Sequence, residues 1–171
     1  MLVVYELLNK HIKNELKNAI EGKGIKIRPE IGDNVNLAPL RGVLLTLELL
    51  SSGTSSVIYY AGKNFGYNVV AHQINGKTLK EVLKNLKVYF QKTNSGMPKI
   101  KEVGKEKAIF VVDQCATAYG IPNIGRPLCS FNAGMIAGAI SKSLKKMAIV
   151  YERKCWGLGD KVCEFHIRVL K

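Results

Sequence analysis

The chain has 171 residues, of which 47% are hydrophobic and 23% are charged, and its formal net charge is +13. This length and composition are typical of one globular domain with its own core, and they exclude a largely disordered chain. The apolar runs are much shorter than the roughly 20 residues of a membrane-spanning helix, and the N-terminus lacks the pattern of a secretory signal. We therefore predict a cytoplasmic protein with a single domain over residues 1–171, whose cysteines stay reduced and available to a metal.

The excess of basic residues would suit a nucleic-acid or other polyanionic partner. The lysines are scattered, however, and on the helix predicted after residue 77 they recur as Lys77, Lys80, Lys84 and Lys87, which is the pattern of a solvated helix face. This scatter favours a general basic surface over a dedicated nucleic-acid site. A site for nucleic acid or another polyanion is the alternative interpretation.

Hydrophobic spacing predicts helices through the first half of the chain. An N-terminal segment, residues 1–35, contains an amphipathic helix over 4–21 and a short extended piece over 25–28. A second helix follows over 37–50, and a third runs from about 54 to 73.

Two local signals refine these helices. Gly62 and Gly66 lie four residues apart on the third helix, so another element can approach that face closely. Thr78 and Glu81 form a capping-box pattern, which predicts the start of a fourth helix.

After residue 98 the pattern changes to that of strands. A loop rich in glycine and proline, over 116–127, precedes a fifth helix that runs from about 129 to 144. The predicted strands cover 99–104, 107–115, 147–155 and 162–170, the last two as a hairpin. The order of elements predicts an α+β fold in which an antiparallel sheet is covered by helices.

The most informative motif is formed by Cys129, Glu152, Cys155 and Cys163. Three thiolates and one carboxylate can fill the four positions of a tetrahedral zinc ion, and a site filled by protein ligands is more often structural than catalytic. The spacing alone leaves two other interpretations open. One is a Cys155–Cys163 disulfide across the hairpin, and the other is a set of buried cysteines beside an exposed Glu152.

The predicted elements allow this group to assemble under one condition. The turn signal Gly157–Asp160 brings Cys155 and Cys163 together, and Cys129 begins a helix, where the free N–H groups should lower the pKa of its thiol. Strict alternation places Glu152 and Cys155 on opposite faces of their strand, so both can reach one ion only if a bulge or a strand end separates them.

These residues resemble the closing signature of the 4-vinyl reductase domain family, also called hydrocarbon-binding proteins. Glu152, Cys155, Cys163 and Phe165 match the signature in order, and Cys129 matches the earlier cysteine at the head of a helix of small residues. The resemblance is specific over about 108–170. It implies that Cys129, Glu152, Cys155 and Cys163 bind zinc, whereas Cys115 lies outside the motif and is expected to be an ordinary buried apolar residue.

The resemblance also implies a fold shared with TRAPP vesicle-tethering subunits and nitric-oxide-sensing haem domains, a buried apolar pocket and a homodimer. A haem is excluded because His11, His72 and His166 lie on elements without haem-type neighbours. The small residues Ala133, Ala139 and Val150 predict a pocket that differs in shape from that of the phenol-sensing branch. The candidate pocket residues are aromatic or apolar side chains on the predicted helices, the central strand and the glycine-rich loop, namely Tyr59, Tyr60, Phe65, Phe110, Tyr119, Phe131 and Met135.

Three functions follow as hypotheses. The first is a non-enzymatic binding module, sensory or carrier in role, that contains structural zinc and holds a small hydrophobic or aromatic ligand. The second is a reductase acting on a vinyl group, which the absence of any phosphate-binding loop or dinucleotide fingerprint disfavours. The third is a basic regulatory protein that binds a polyanion.

Overall fold

The structure is a computed structural model, and it describes residues 36–50 and 53–170. The predicted helix over 4–21, the extended piece over 25–28 and His11 lie outside the described residues. In chain order the helices and strands are α1 Leu37–Leu50, α2 Thr54–Phe65, α3 Leu79–Lys92, β1 Met97–Val103, β2 Lys107–Asp113, α4 Ser130–Leu144, β3 Ala148–Lys154 and β4 Cys163–Val169. The helical path of α2 continues through a π-helical turn, Gly66–Val70, and one short turn, Ala71–Gln73.

The four strands form one antiparallel sheet in the order β1-β2-β4-β3. Its inner face is apolar and fully or almost fully buried, and Phe110 on that face packs against Phe90 of α3 with the ring centroids 5.6 Å apart. Helices α3 and α4 contact the sheet. Strand β2 lies between β1 and β4, which confirms it as a central strand, and the α+β fold with an antiparallel sheet is confirmed.

The start of α3 confirms the predicted capping box. The Thr78 hydroxyl accepts a hydrogen bond from the Glu81 N–H at 3.3 Å, and the Glu81 carboxylate accepts one from the Lys77 N–H at 2.8 Å. Two N–H groups at the helix start are thereby satisfied, which is why the helix begins at this point.

Helices α2 and α4 touch through glycines. A Cβ atom added to Gly62 would overlap the carbonyl oxygen of Phe131, and one added to Gly134 would overlap that of Tyr59. Gly66 and Gly138 make equivalent approaches to the opposite helix. The close approach predicted from Gly62 and Gly66 is confirmed, and α4 provides a matching pair of glycines for it.

Helix α1 has an unusual pattern of exposure. Leu40, Val43 and Leu50 are exposed by 51%, 58% and 67%, whereas Glu48 is only 1% exposed. The Glu48 carboxylate accepts hydrogen bonds from the Ser130 N–H at 3.1 Å and from the Ser55 hydroxyl at 2.7 Å. This buried acid therefore links α1 to the first turns of α2 and α4.

In the part of the chain that the structure describes, no helix is both long enough and apolar enough to cross a membrane.

Replacing Gly134 with alanine tests the contact between α2 and α4. The added methyl group meets backbone atoms that cannot rotate away. We expect Gly134→Ala to lower the free energy of unfolding by about 2 kcal/mol or more, as overpacked cores do, measured by urea denaturation followed by circular dichroism.

Gly42→Ala is the matched control, because Gly42 lies in α1 with no atom within 4 Å of its would-be Cβ. The helix propensity of alanine should raise the free energy of unfolding by up to about 1 kcal/mol there. Equal stability of the two variants would contradict the close helix contact.

Candidate metal centre

The four residues of the cysteine motif meet at the start of α4. One carboxylate oxygen of Glu152 and the sulfur atoms of Cys129, Cys155 and Cys163 all lie within 4.8 Å of one another. The three cysteines are almost completely buried. Four donor atoms at such mutual distances can surround a single ion, because zinc–sulfur and zinc–oxygen bonds are about 2.0–2.3 Å long.

A bulge in β3 brings Glu152 and Cys155 to the same side. The pairing of β3 with β4 shifts in register between Glu152 and Lys154. One extra residue in the strand cancels the alternation that would otherwise separate the two side chains. The bulge predicted as the condition for a shared site is therefore present, and Cys163 lies on the inner face of β4 as expected.

The turn after β3 is closed by its own hydrogen bonds. The Cys155 carbonyl accepts from the Leu158 and Asp160 N–H groups at 2.9 and 3.0 Å, and the Asp160 carboxylate accepts from the Cys155 N–H at 3.0 Å. Gly159 has a φ of +92°, a conformation that glycine adopts without strain. These bonds hold Cys155 in place independently of any ion.

The loop before α4 is fastened to this turn. The Gly157 carbonyl accepts hydrogen bonds from the N–H groups of Ile124 and Arg126, at 2.9 and 3.2 Å. The rings of Tyr119 and Trp156 pack with their centroids 4.9 Å apart. The glycine-rich loop thus serves to place Cys129 beside the hairpin.

The Glu152 carboxylate has one satisfied and one unsatisfied oxygen. Oε2 accepts a hydrogen bond from the Cys129 N–H at 2.8 Å. Oε1 is buried and has no hydrogen-bond partner among the residues that the structure describes. Because an orphaned buried carboxylate oxygen is energetically costly, this atom fits the role of a metal ligand.

Cys115 is the residue of this site that sequence reasoning missed. Its sulfur lies 3.6 Å from that of Cys129 and accepts a hydrogen bond from the Asn132 side chain at 3.5 Å. It is completely buried, as expected, but it adjoins the motif instead of lying apart from it. All four cysteines are free thiols, so the structure contains no Cys155–Cys163 disulfide.

The buried acids of the cluster compete for protons. Hydrogen bonds from the Cys129 and Cys163 thiols lower the pKa of Cys155 to about 2. The pKa of Cys129 is raised well above its usual value by hydrogen bonds with the three other thiols, that of Cys115 foremost, and by burial. The low pKa predicted for Cys129 from its helix position is therefore wrong, because the neighbouring sulfurs outweigh the helix end. Burial and the charge of Cys155 also raise the pKa of Glu152.

Five acidic groups thus share one small volume, and a bare cluster of this kind cannot ionise all of them together. A divalent cation would offset the repulsion and let each ligand lose its proton. The chemistry of the donor set, like the orphaned oxygen of Glu152, fits a bound zinc ion.

The candidate pocket residues are divided between different places. Tyr59 and Tyr60 line a cleft of about 610 Å³ between α2, the start of α4 and strand β3. The other five lie elsewhere. Phe65 packs against Phe131, and Phe110 lies in the core beneath the sheet. Tyr119 packs against Trp156, and Met135 lies where α4 meets Gly66.

The cleft adjoins the candidate metal centre. Ala133 and Val150, both noted from the sequence for their small size, form part of its wall, and Glu152 belongs to both sites. The Tyr59 hydroxyl accepts a hydrogen bond from the Val150 N–H at 3.3 Å, so α2 covers the outer edge of β3. The cleft walls are therefore tied to the strand that carries Glu152.

Solved structures with the same fold come from several kinds of protein. The phenol-responsive sensory domain of the transcription activator PoxR, with phenol, has a TM-score of 0.65 at 12% identity, and the match covers 95% of this chain and 92% of that domain. A trafficking protein particle complex subunit 3 from Naegleria fowleri, covalently bound to palmitic acid, has a TM-score of 0.65 at 16% identity, and the match covers 79% of this chain and 93% of that subunit. An H-NOX protein from S. oneidensis in the Fe(II)NO ligation state has a TM-score of 0.55 at 14% identity, and the match covers 99% of this chain and 96% of that protein. At these identities the similarity establishes the fold alone, and it confirms the predicted fold relationships.

Sequence comparison identifies the family. The family model described as V4R domain matches residues 108–169, which contain the whole cysteine motif. The protein MJ0150 of Methanocaldococcus jannaschii is 30% identical over 166 residues, 96% of this chain and 92% of that protein. The chain therefore belongs to the V4R domain family, as its closing motif predicts.

Proposed function

We propose that this chain is a zinc-containing binding module for a small hydrophobic or aromatic ligand, with a sensory or carrier role and no catalytic activity of its own. The observation that carries the proposal is the convergence of four donor atoms within 4.8 Å beside a ligand-sized cleft. Free, buried thiols fit a reducing cytoplasm, where such clusters bind metal.

The zinc ion would be held by Cys129, Glu152, Cys155 and Cys163. These four ligands come from the residue before α4, from β3, from the turn after it and from the start of β4. An ion bound to all of them would fasten the hairpin to α4 and add its binding free energy to the stability of the fold. With four protein ligands, the ion has no open position for water, which favours a structural role.

The ligand would lie in the cleft between α2, α4 and β3. Its wall combines the aromatic rings of Tyr59 and Tyr60 with small apolar groups such as Ala133 and Val150, a composition that suits an apolar or aromatic molecule. Phenol in the sensory domain of PoxR and palmitic acid in the trafficking subunit lend support, because both proteins have this fold. Since Glu152 forms part of the cleft, zinc would also stabilise the shape of the ligand site.

The module would act as a homodimer formed through α1. The exposed side of this helix presents Leu40, Val43, Leu47 and Leu50 to solvent. An apolar surface of this kind on a described helix favours burial against a second copy of the chain.

The zinc assignment is tested by comparing two buried cysteines. We expect Cys163→Ser to lose the zinc that the wild-type chain carries, about one ion per chain, and to melt at a lower temperature because the hairpin is no longer fastened. Inductively coupled plasma mass spectrometry measures the first effect, and thermal unfolding by circular dichroism measures the second.

Cys115→Ala is the matched control, since Cys115 is equally buried but lies outside the proposed ligand set. It should keep its zinc. Wild-type protein without zinc, or complete zinc loss in Cys115→Ala, would contradict the proposed site.

The ligand site is tested by filling the cleft. Ser56 lines the cleft, whereas its neighbour Val57 is exposed and does not. We expect Ser56→Trp to weaken binding of phenol or palmitate at least about tenfold, a change of about 1.4 kcal/mol, while Val57→Trp leaves it unchanged. Isothermal titration measures both, and native mass spectrometry of the wild-type chain detects any co-purified apolar molecule. Equal effects of the two tryptophans would count against the cleft.

The dimer is tested by placing a charge on α1. We expect Val43→Lys to convert the dimer to a monomer, because the lysine charge would be buried at the interface, as measured by size-exclusion chromatography with light scattering. Val88→Lys, at a position 45% exposed on α3, should leave the dimer intact. A wild-type monomer at micromolar concentration would refute this part of the proposal.

A further inference from the structure

We propose that the outer face of the sheet binds single-stranded nucleic acid, a role that goes beyond ligand sensing. This face is the side of β1 to β4 that points away from the buried core, and no described helix packs on it. It contains a concavity of about 770 Å³ whose lining includes Lys107, Ile109, Tyr151, Arg153, His166 and Arg168.

Two cations lie directly opposite each other on this face. Lys107 of β2 pairs in register with Arg168 of β4, and both side chains are exposed. Like charges in directly opposed cross-strand positions are destabilising. Neither residue forms an ion pair with any residue that the structure describes. An anionic partner would relieve this repulsion.

The charge of the whole face is basic. The Glu164 carboxylate is already occupied, by the Lys101 ammonium at 3.2 Å and by His166 Nε2 at 2.8 Å. The other carboxylates of this face are those of Glu102 and Asp113. The remaining basic side chains outnumber them, and they are Lys99, Lys107, Arg153, Lys154 and Arg168. A negatively charged partner is therefore favoured over an apolar or cationic one.

The positive groups lie at two levels of the face. Lys107 and Arg168 share one cross-strand row. A second row lies four residues further along β2, at Val111, and Lys99 pairs with Val111 there. In the same row, Lys154 pairs with Glu164. Four residues of a strand span about 13 Å. A single phosphate cannot reach both rows, so the surface fits a ligand with repeated negative charges.

The row between them holds Ile109, His166 and Tyr151, with Glu102 at its β1 end. Ile109 is half-buried, and the Tyr151 ring is 53% exposed with the Arg153 guanidinium 5.8 Å from its centroid. Unpaired bases stack on such rings and guanidinium groups, whereas a duplex keeps its bases inside. Repeated phosphates with flat apolar groups between them are the features of a single strand.

The test uses the full chain and short fluorescein-labelled oligo-dT and oligo-U, followed by fluorescence anisotropy at several salt concentrations. We expect Lys107→Glu/Arg168→Glu to weaken binding at least about tenfold and to make the salt dependence shallower by about 1 to 2 in log–log slope. Tyr151→Ala should weaken binding by about fivefold or more without changing that slope.

The control is Lys84→Glu/Lys92→Glu, which makes the same change of charge at exposed positions of α3. It should retain binding within about threefold of wild type, and all variants should keep their zinc content and melting temperature. Equal losses in the two double variants would overturn the proposal, because binding would then follow net charge alone. Equal or tighter binding of the corresponding duplex, or no binding at low salt, would overturn it as well.

Discussion

The contact of α2 with α4 through glycines determines where the rest of the domain can lie. Because Gly62 and Gly134 bring backbone against backbone, the two helices sit closer than any side chain would permit. That separation places the start of α4, and with it Cys129, beside the β3–β4 hairpin. It also sets the width of the cleft, since Tyr59 and Ala133 lie on the same two helices. The cleft and the candidate metal centre thus both depend on this one helix pair.

Two buried carboxylates are the second organising feature, and both accept hydrogen bonds from N–H groups at the start of α4. Glu48 accepts the Ser130 N–H and Glu152 accepts the Cys129 N–H. The two acids come from opposite ends of the chain, one on α1 and the other on the edge strand β3. They satisfy N–H groups that a helix start leaves free, and they do so in a buried place where water cannot. The helix start is therefore held even before any ion binds.

The sequence predicted well what depends on neighbours along the chain. The capping box at Thr78, the close approach at Gly62 and Gly66, and the bulge required by Glu152 and Cys155 follow from local spacing, and each is present. The roles of Glu48 and Cys115 could not be predicted in this way. Glu48 reaches an N–H group 82 residues away, and Cys115 meets Cys129 across a loop without regular structure. The prediction of a low pKa for Cys129 was wrong for the same reason. The position of Cys129 at the helix start was visible in the sequence, whereas its sulfur neighbours were not.

The bulge in β3 has a consequence for how this motif tolerates changes in chain length. Deleting one residue between Glu152 and Cys155 would remove the bulge and leave the two side chains two positions apart in a regular strand, again on the same face. Inserting one residue beside the bulge would instead add one step of alternation and turn one of the two side chains toward the outer face. The glycine-bearing turn that follows, Trp156 to Lys161, ends at a strand whose register is set by pairing on both sides, so its length is less tightly tied to the donor atoms. Within the motif, the interval from Glu152 to Cys155 therefore tolerates the loss of one residue better than the gain of one, whereas the length of the turn is less constrained.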